Sequence, residues 1–239
     1  MLATLATAGA AATLAAGGYA YAAMWPTSQI FGKAIIGGRD PREFALTYDD
    51  GPNDPYTQQL LDVLATYNVR ATFFLIGRFV RQRPEIARAI HAAGHLVGNH
   101  TMTHPVLLFQ SPKRVREELA GCKAAIEDAL GEQVRYFRPP HGARRPDVLR
   151  AARDLGLSPV LWNAMGYDWR PTTEEAVLAN LQKSIRRNQQ RGQGSNLLLH
   201  DGGQAGIGED RSHSVAATAR LLESTKQQIR YVTIDAWKI

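Results

Sequence analysis

The chain has very little cysteine and no concentrated run of charge. Its 239 residues include one cysteine, Cys122, which excludes an internal disulfide. Lys and Arg outnumber Asp and Glu by 28 to 22, but the basic residues are dispersed and no basic run exceeds a pair. Nucleic-acid-binding proteins usually concentrate positive charge in a patch or stripe. We therefore expect no nucleic-acid partner, and the net charge of +6 favours solubility and anionic surroundings.

The first 32 residues contain no charged residue. Residues 1–24 are mainly Ala, Leu and Thr, and their length and composition approach those of a membrane span. Ala20-Tyr21-Ala22 supplies small residues typical of a signal-peptidase site, although the usual basic start of a signal peptide is missing. We interpret residues 1–24 as an apolar segment, a signal peptide or a membrane anchor, and residues 25–38 as a linker. The protein is therefore expected to be exported, extracellular or associated with the cell envelope.

From residue 39 onwards, short β-rich runs alternate with helical patterns. The predicted strands are Phe44–Tyr48, Ala71–Ile76, Leu96–Val97, Val134–Phe137, Pro159–Trp162, Asn196–Leu199 and Arg230–Ile234. The predicted helices are Pro55–Tyr67, Pro84–Ala93, one starting at Ser111-Pro112, Pro146–Leu155, one capped by Thr172 or Thr173, and Ser214–Gln227. Repeated β-α units imply a parallel sheet covered by helices. Helical periodicity places Cys122 on a buried stripe, which predicts an inert core thiol.

Side chains that carry chemistry follow the ends of five predicted strands. These are Asp49 and Asp50, His100, Arg138, Asn163 and His200. A (β/α) barrel builds its active site at the C-terminal ends of several strands, whereas an open doubly wound sheet has its site at one switch point. We therefore predict an α/β fold, a distorted (β/α) barrel with seven or eight units, as a single catalytic domain over residues 39–239.

Two carboxylates and two histidines suggest a metal site. Asp49 and Asp50 stand together at a strand end, where one can bind an ion while the other acts as a base. His100 and His104 are four residues apart, so on a helical turn both imidazoles face the same way. Two histidines and one carboxylate with an open position suit Zn²⁺ in hydrolysis or Fe(II) in an oxygenase. These residues alone leave both chemistries open.

Five motifs in order resemble those of the polysaccharide deacetylases, carbohydrate esterase family four. They are Thr47-Tyr48-Asp49-Asp50-Gly51-Pro52, His100-Thr101-Met102-Thr103-His104, Arg138-Pro139-Pro140-His141-Gly142, Asp168-Trp169 and Leu198-Leu199-His200. The resemblance covers about residues 40–237. It implies a distorted (β/α) barrel and metal-dependent removal of acetyl groups from sugar polymers such as peptidoglycan or chitin.

The resemblance also implies roles for single residues. The metal ligands would be Asp50, His100 and His104, holding one divalent ion, Zn²⁺ in the first place and Co²⁺ or Mn²⁺ as alternatives. Asp49 would be the general base, Arg138 its positioning partner, His200 the general acid and Asp168 the residue that orients His200. Pro140, His141, Trp169 and Leu198 would contact the acetylated glycan, and a backbone N–H near His141 would complete the oxyanion site.

Two positions depart from the family pattern. His141 stands where the family often has tyrosine, and Met165 stands where the fourth motif usually begins with aspartate. The second departure leaves the partner of Arg138 or His200 open, with Asn163 as a polar substitute.

Besides the deacetylase, two other functions remain as hypotheses. One is an Fe(II)-dependent oxygenase that uses the same metal ligands, although it would not need the Arg138–Asp49 pair. The other is an inactive glycan-binding module, which would be expected to have lost Asp49 or His200. We predict an enzyme that acts on linear amide C–N bonds, with a monomer favoured and membrane attachment only through residues 1–24.

Overall fold

The computed structural model describes residues 16–225 and 228–238. A helix over residues 16–24, α1, precedes the sheet. The strands are β1 (Glu43–Asp49), β2 (Thr72–Leu75), β3 (Leu96–Asn99), β4 (Tyr136–Phe137), β5 (Ser158–Pro159), β6 (Ala164–Met165), β7 (Ser195–His200) and β8 (Arg230–Tyr231). The other helices are α2 (Tyr56–Thr66), α3 (Gly77–Gln82), α4 (Pro84–Ala92), α5 (Pro112–Leu130), α6 (Pro146–Asp154), α7 (Glu174–Gln190) and α8 (Ser212–Thr225).

The strands form one parallel sheet in the order β5-β4-β3-β2-β1-β7-β6, and β8 pairs with the beginning of β1. β1 is buried along its whole length and lies at the centre. Its register places Asp49 beside Phe74 of β2 and beside His200 of β7. Because neighbouring parallel strands end at the same level, their terminal side chains meet at one edge of the sheet.

The sheet curls into an incomplete barrel with the helices outside. Its path ends at β5 and β6, and no pairing between these two strands occurs among the described residues. The main apolar core lies between the sheet and the helices, and Cys122 is fully buried in it. Burial raises the pKa of this thiol to about 12, as expected for an inert core cysteine. The predicted fold class, a distorted (β/α) barrel in a single domain, is confirmed.

Some elements differ from the sequence prediction. Helix α3 was not predicted, because six residues are too few to show a helical period. This helix packs closely on α5, since a Cβ at Gly77 would lie 2.8 Å from Cys122 Cα. Strand β6 was also not predicted, and the predicted strand Arg230–Ile234 is a strand only at Arg230–Tyr231 before a 3-10 turn begins.

Residues 25–38 pack against the domain, which differs from the linker expected from sequence. Ile35 pairs with Val160 in an isolated parallel bridge, and Ser28 and Ala34 are buried. Of the apolar segment 1–24, residues 1–15 lie outside the described residues. Across the residues that the structure describes, no helix is both long enough and apolar enough to cross a membrane.

Candidate metal and catalytic site

One carboxylate and two imidazoles converge at the carboxyl edge of the sheet. Asp50 Oδ1 lies 3.1 Å from His104 Nε2 and 3.4 Å from His100 Nε2. The three ligand atoms all lie within 4.8 Å of one another, and all three residues are nine-tenths or more buried. Asp50 Oδ1 has no hydrogen-bond partner in the described residues. A buried carboxylate oxygen without a donor, facing two imidazoles, fits a bound cation.

In both histidines, the hydrogen bond made by Nδ1 fixes the orientation of the imidazole ring. His100 Nδ1 donates to the backbone carbonyl of Arg138 at 2.8 Å, and His104 Nδ1 donates to Gln204 Oε1 at 2.7 Å. With Nδ1 protonated, the lone pair of Nε2 points at the shared centre, which is the usual arrangement around a metal-binding histidine. The donor set therefore fits a divalent metal ion.

The loop that carries the two histidines is not the helical turn expected from their spacing. Thr101 and His104 both have left-handed backbone conformations, with φ of 68° and 62°. The loop is stabilised by local hydrogen bonds, since Asn99 Oδ1 accepts from Thr101 N and Thr101 Oγ1 accepts from His104 N. The helical-turn prediction was wrong because these side chains compete with helical backbone hydrogen bonds. The rings nevertheless meet, with centroids 4.9 Å apart.

Burial and neighbouring charges shift the pKa values of the three ligand side chains in different directions. Burial acts to raise the pKa of Asp50, but its interactions with the neighbouring His100 and His104 side chains outweigh burial, so the net shift is downward. Burial and then the neighbouring His100 lower the pKa of His104 to about 3. Burial also acts to lower the pKa of His100, but Asp49 and Asp50 reverse this and raise it. A carboxylate that stays ionised beside a neutral imidazole is suited to ligate a cation.

Asp49 lies beside this cluster and is held by a buried arginine. Arg138 Nη1 donates to Asp49 Oδ1 and to Thr47 Oγ1, each at 2.8 Å. Arg138 is fully buried, and its guanidinium lies 4.2 Å from the centre of the Phe74 ring. The second carboxylate oxygen of Asp49 lies 3.6 Å from His100 Nε2. Asp49 is therefore kept close to the metal cluster in one orientation.

His200 and Asp168 form a second charged pair. His200 Nδ1 donates to Asp168 Oδ1 at 2.8 Å, and the His200 backbone N–H donates to Asp168 Oδ2 at 2.7 Å. Ser214 Oγ also donates to Asp168 Oδ2 at 2.7 Å. Burial acts to lower the pKa of His200, but the Asp168 carboxylate outweighs it and the net result is a rise to about 9. His200 therefore carries a proton at neutral pH, with Nε2 free of this pair.

The remaining predicted site residues line the surroundings of the cluster. His141 has φ of 57° and its ring packs edge-on against His104, with centroids 4.9 Å apart. The Trp169 ring packs against His200 at 5.4 Å and is 39% exposed, so it can form a wall of an open groove. Leu198 is buried with Trp162 in a small apolar cluster, and Pro140 is buried in the turn before His141.

The missing aspartate at Met165 is compensated differently from the sequence hypothesis. Asn163 donates to the Gly194 carbonyl and accepts from the Asn196 backbone, so it does not contact Arg138 in the described structure. Instead, Asn196 Oδ1 accepts from Arg138 Nη2 at 3.4 Å. The partner of His200 in the structure is Asp168.

Sequence reasoning missed several supporting residues. Asp201 is buried, accepts from Thr57 Oγ1 at 2.6 Å, and has its other oxygen without a hydrogen-bond partner among the described residues. Burial raises its pKa to about 7. The position of Asp201 directly after His200 was the only signal in the sequence. Asn196, Thr47 and Gln204 were missed because their partners lie far away along the chain.

Comparisons with known proteins identify the family of the chain. A family model for polysaccharide deacetylases matches residues 37–160. A peptidoglycan-N-acetylglucosamine deacetylase of Bacillus cereus is 36% identical over 80% of this chain and 85% of that protein. A chitooligosaccharide deacetylase of Sinorhizobium fredii is 40% identical over 66% of this chain and 71% of that protein.

Solved structures show the same fold. The Bc1960 peptidoglycan N-acetylglucosamine deacetylase has a TM-score of 0.77 at 28% identity, covering 85% of this chain and 91% of that chain. BA3943 of Bacillus anthracis, a CE4 family pseudoenzyme, has a TM-score of 0.75 at 27% identity, covering 85% of this chain and 68% of that chain. The sequence prediction of the family is confirmed, and the chain belongs to the polysaccharide deacetylases, carbohydrate esterase family four.

Proposed function

We propose that this protein is a metal-dependent hydrolase that removes acetyl groups from N-acetylglucosamine units of a cell-wall or chitin-like polysaccharide. The observation that carries the proposal is the meeting of three groups at one edge of the sheet. These are the metal cluster Asp50, His100 and His104, the Asp49–Arg138 pair, and the His200–Asp168 pair. Amide hydrolysis needs an activated water, a stabilised oxyanion and a proton for a poor leaving group.

Asp49 is proposed as the general base. Its carboxylate is fixed by Arg138 and lies beside the metal cluster, so it is positioned to accept the proton of the attacking water. A divalent ion held by Asp50, His100 and His104 would polarise the acetyl carbonyl and lower the pKa of water. We expect Zn²⁺ first, with Co²⁺ or Mn²⁺ as alternatives.

His200 is proposed as the general acid. Its raised pKa keeps the imidazole protonated at neutral pH, and Asp168 holds the Nδ1–H, which leaves the Nε2–H to protonate the departing amine. Trp169 would form a groove wall for the sugar, and Leu198 would line the acetyl pocket. Pro140 and His141 would contact substrate, and the His141 backbone N–H would stabilise the oxyanion.

The substrate class follows from the relatives and from the acid–base groups. Relatives named for peptidoglycan and for chitooligosaccharides support an acetylated glycan as the substrate, and such a substrate fits an exported, envelope-associated location. The enzyme is proposed to be a monomer. An oxygenase has no use for the His200–Asp168 acid or for the Arg138–Asp49 base. The pseudoenzyme among the structural neighbours makes an inactive glycan-binding module the main competing hypothesis.

The test is acetate release from peptidoglycan and from N-acetylglucosamine oligomers, measured in parallel with Asp49→Asn as control. We expect release from at least one substrate by the wild-type protein and a loss of about 10²- to 10⁴-fold in the variant. The better substrate identifies the polymer class. If neither substrate releases acetate while both still bind, the protein is a binding module and the proposed function is wrong.

A further inference from the structure

Large hydrophobic side chains are exposed mainly in one short part of the chain. Eight such side chains are exposed among the described residues, and five of them lie between residues 19 and 30. We call these five the N-terminal surface: Tyr19, Tyr21, Met24, Trp25 and Ile30. Tyr21 and Trp25 stack on each other with centroids 6.1 Å apart. Scattered exposed hydrophobic residues are normal, whereas a concentration of them in one part of the chain favours an interaction surface.

The composition of the N-terminal surface suits a lipid interface. Tyrosine and tryptophan have an apolar ring with a polar tip and are enriched where a membrane meets water. The chain has no charged residue before Lys33 and no acidic residue before Asp40. Exposed Lys33 follows the N-terminal surface in the sequence. The guanidinium of Arg153 lies close to Gly32, since a Cβ added to this glycine would be 3.7 Å from it. The basic groups beside the N-terminal surface complement anionic headgroups.

The N-terminal surface continues directly from the charge-free residues 1–15. Any lipid contact made by that apolar stretch would bring the first turns of α1 to the headgroup region. Tyrosine and tryptophan directly after an apolar stretch stand where an aromatic belt would meet the membrane–water interface. Their presence favours a lipid bilayer as the partner of this face, ahead of a second copy of the chain.

The N-terminal surface is fixed to the catalytic domain by Arg144. This side chain is 1% exposed, and Nη2 donates to the carbonyls of Trp25 and Ser28, each at 2.7 Å. Nη1 donates to the carbonyl of Gly142 at 2.9 Å, and the Arg144 backbone N–H donates to the carbonyl of Ala23 at 3.0 Å. Gly142 belongs to the turn that carries Pro140 and His141. The same guanidinium therefore joins the N-terminal surface to a loop of the site.

We propose that the N-terminal surface lies in the headgroup region of a lipid bilayer, and that Arg144 holds the catalytic groove at a fixed orientation to that bilayer. This inference rests on the envelope location proposed above and is independent of the deacetylation chemistry. An enzyme held in this way acts on glycan close to the membrane.

The test measures binding of the full-length protein to vesicles of phosphatidylcholine with phosphatidylglycerol, by co-sedimentation. The variant combines Trp25→Ser with Ile30→Ser, and the matched control is Phe109→Ser, since Phe109 is 83% exposed elsewhere on the surface. We expect the vesicle partition coefficient of the double variant to fall by at least about tenfold and that of the control to stay unchanged. Both variants should keep the thermal midpoint of the wild type because the replaced side chains are exposed.

A second measurement locates the surface directly. Vesicles with brominated acyl chains should quench a component of the tryptophan fluorescence that is absent in Trp25→Phe. Unchanged partition of the double variant together with no Trp25-dependent quenching overturns the proposal, as does a concentration-dependent dimer that Trp25→Ser abolishes. Acetate release from soluble oligomers is assayed on the same samples and reports the proposed function separately. If the protein binds vesicles and shows the quenching but releases no acetate, the proposed lipid contact of the N-terminal surface is supported and only the proposed deacetylation is wrong.

Discussion

Replacing Asp168 with asparagine should change the protonation of His200. In the wild-type protein the imidazole is buried, which disfavours its charge, and Asp168 reverses this and raises the pKa from 6.5 to about 9. The variant keeps a side chain of the same size but removes the carboxylate charge. We expect the pKa of His200 to fall by at least about one unit, because a neighbouring opposite charge typically shifts a pKa by about 1–3 units.

The size of the pKa shift decides what fraction of His200 is protonated and able to act as an acid. A shift from 6.5 to about 9 corresponds to about 3 kcal/mol in favour of the imidazolium. At pH 8 an imidazole with a pKa of about 9 is roughly nine-tenths protonated, whereas one at 6.5 is roughly 3% protonated. An asparagine amide can also donate to Nδ1, which favours the neutral imidazole with its proton on Nε2, a weaker acid than the imidazolium. If the pKa of His200 returned to 6.5, its protonated fraction at pH 8 would fall about 30-fold, and we expect kcat at pH 8 to fall by up to that factor.

The assay is an NMR titration of His200 in the metal-free protein, because a bound divalent ion would itself lower the pKa. The wild type should titrate near pH 9 and Asp168→Asn well below it. With metal bound, acetate release should decline as the pH is raised, and this decline should begin at a lower pH in the variant than in the wild type. The reason is that His200 loses its proton at a lower pH in the variant. An unchanged titration midpoint, or an unchanged kcat at pH 8, would refute the assignment of Asp168 and His200 as an acid pair.

Three further changes have definite expectations. Asp201→Asn should raise the free energy of unfolding of the metal-free protein at pH 8 by about 1–4 kcal/mol and leave it nearly unchanged at pH 4, measured by urea unfolding. The Asp201 carboxyl has a pKa of about 7 in the folded protein and 3.8 in the unfolded chain, so the stability of the wild type falls as the pH rises from 3.8 through 7. Asparagine does not ionise and removes this loss of stability. Equal effects of the substitution at both pH values would contradict the raised pKa of Asp201. Arg138→Met should cost about 3–5 kcal/mol because Asp49 is left buried without its cation, and a change below 1 kcal/mol by the same method would contradict the pairing. Trp169→Ala should raise KM about tenfold while the thermal midpoint stays unchanged, and an unchanged KM would remove Trp169 from the groove.

Much of the site could be predicted because parallel strands bring their ends together. Asp49 follows β1 and His200 ends β7, and the structure places the two residues side by side in register. The alternation of strands and helices predicted a parallel sheet covered by helices, and the reactive residues after several strand ends favoured a barrel over an open doubly wound sheet. The sequence motifs also indicated the residues around the metal cluster, because short reactive motifs stand out against apolar strands.

Other features depended on contacts that no local pattern encodes. The spacing of His100 and His104 suggested a helical turn, but local hydrogen bonds from Asn99 and Thr101 stabilise a left-handed loop instead. The replacement of the family aspartate by Met165 left the support of Arg138 open. That support comes from β1 and β7, whose adjacency becomes visible only when the sheet is formed.

Sequence patterns also could not predict that the N-terminal region packs against the domain. Residues 25–38 have the glycine and proline content of a linker, yet Arg144 binds the carbonyls of Trp25 and Ser28. An arginine that bonds to backbone carbonyls leaves no partner signature in the sequence, because any residue can supply the carbonyl.

The proposed hydrolysis depends on one ion at the Asp50 cluster and on Asp49 as the base. The most direct measurement titrates Zn²⁺ into the metal-stripped protein while bound metal and acetate release are followed together, with His104→Ala and Asp49→Asn in parallel. Acetate release should rise in proportion to bound metal and saturate at one ion per chain. His104→Ala should lose the metal, whereas Asp49→Asn should bind it and release little acetate. Acetate release that is independent of metal, or full activity in Asp49→Asn, would contradict the mechanism.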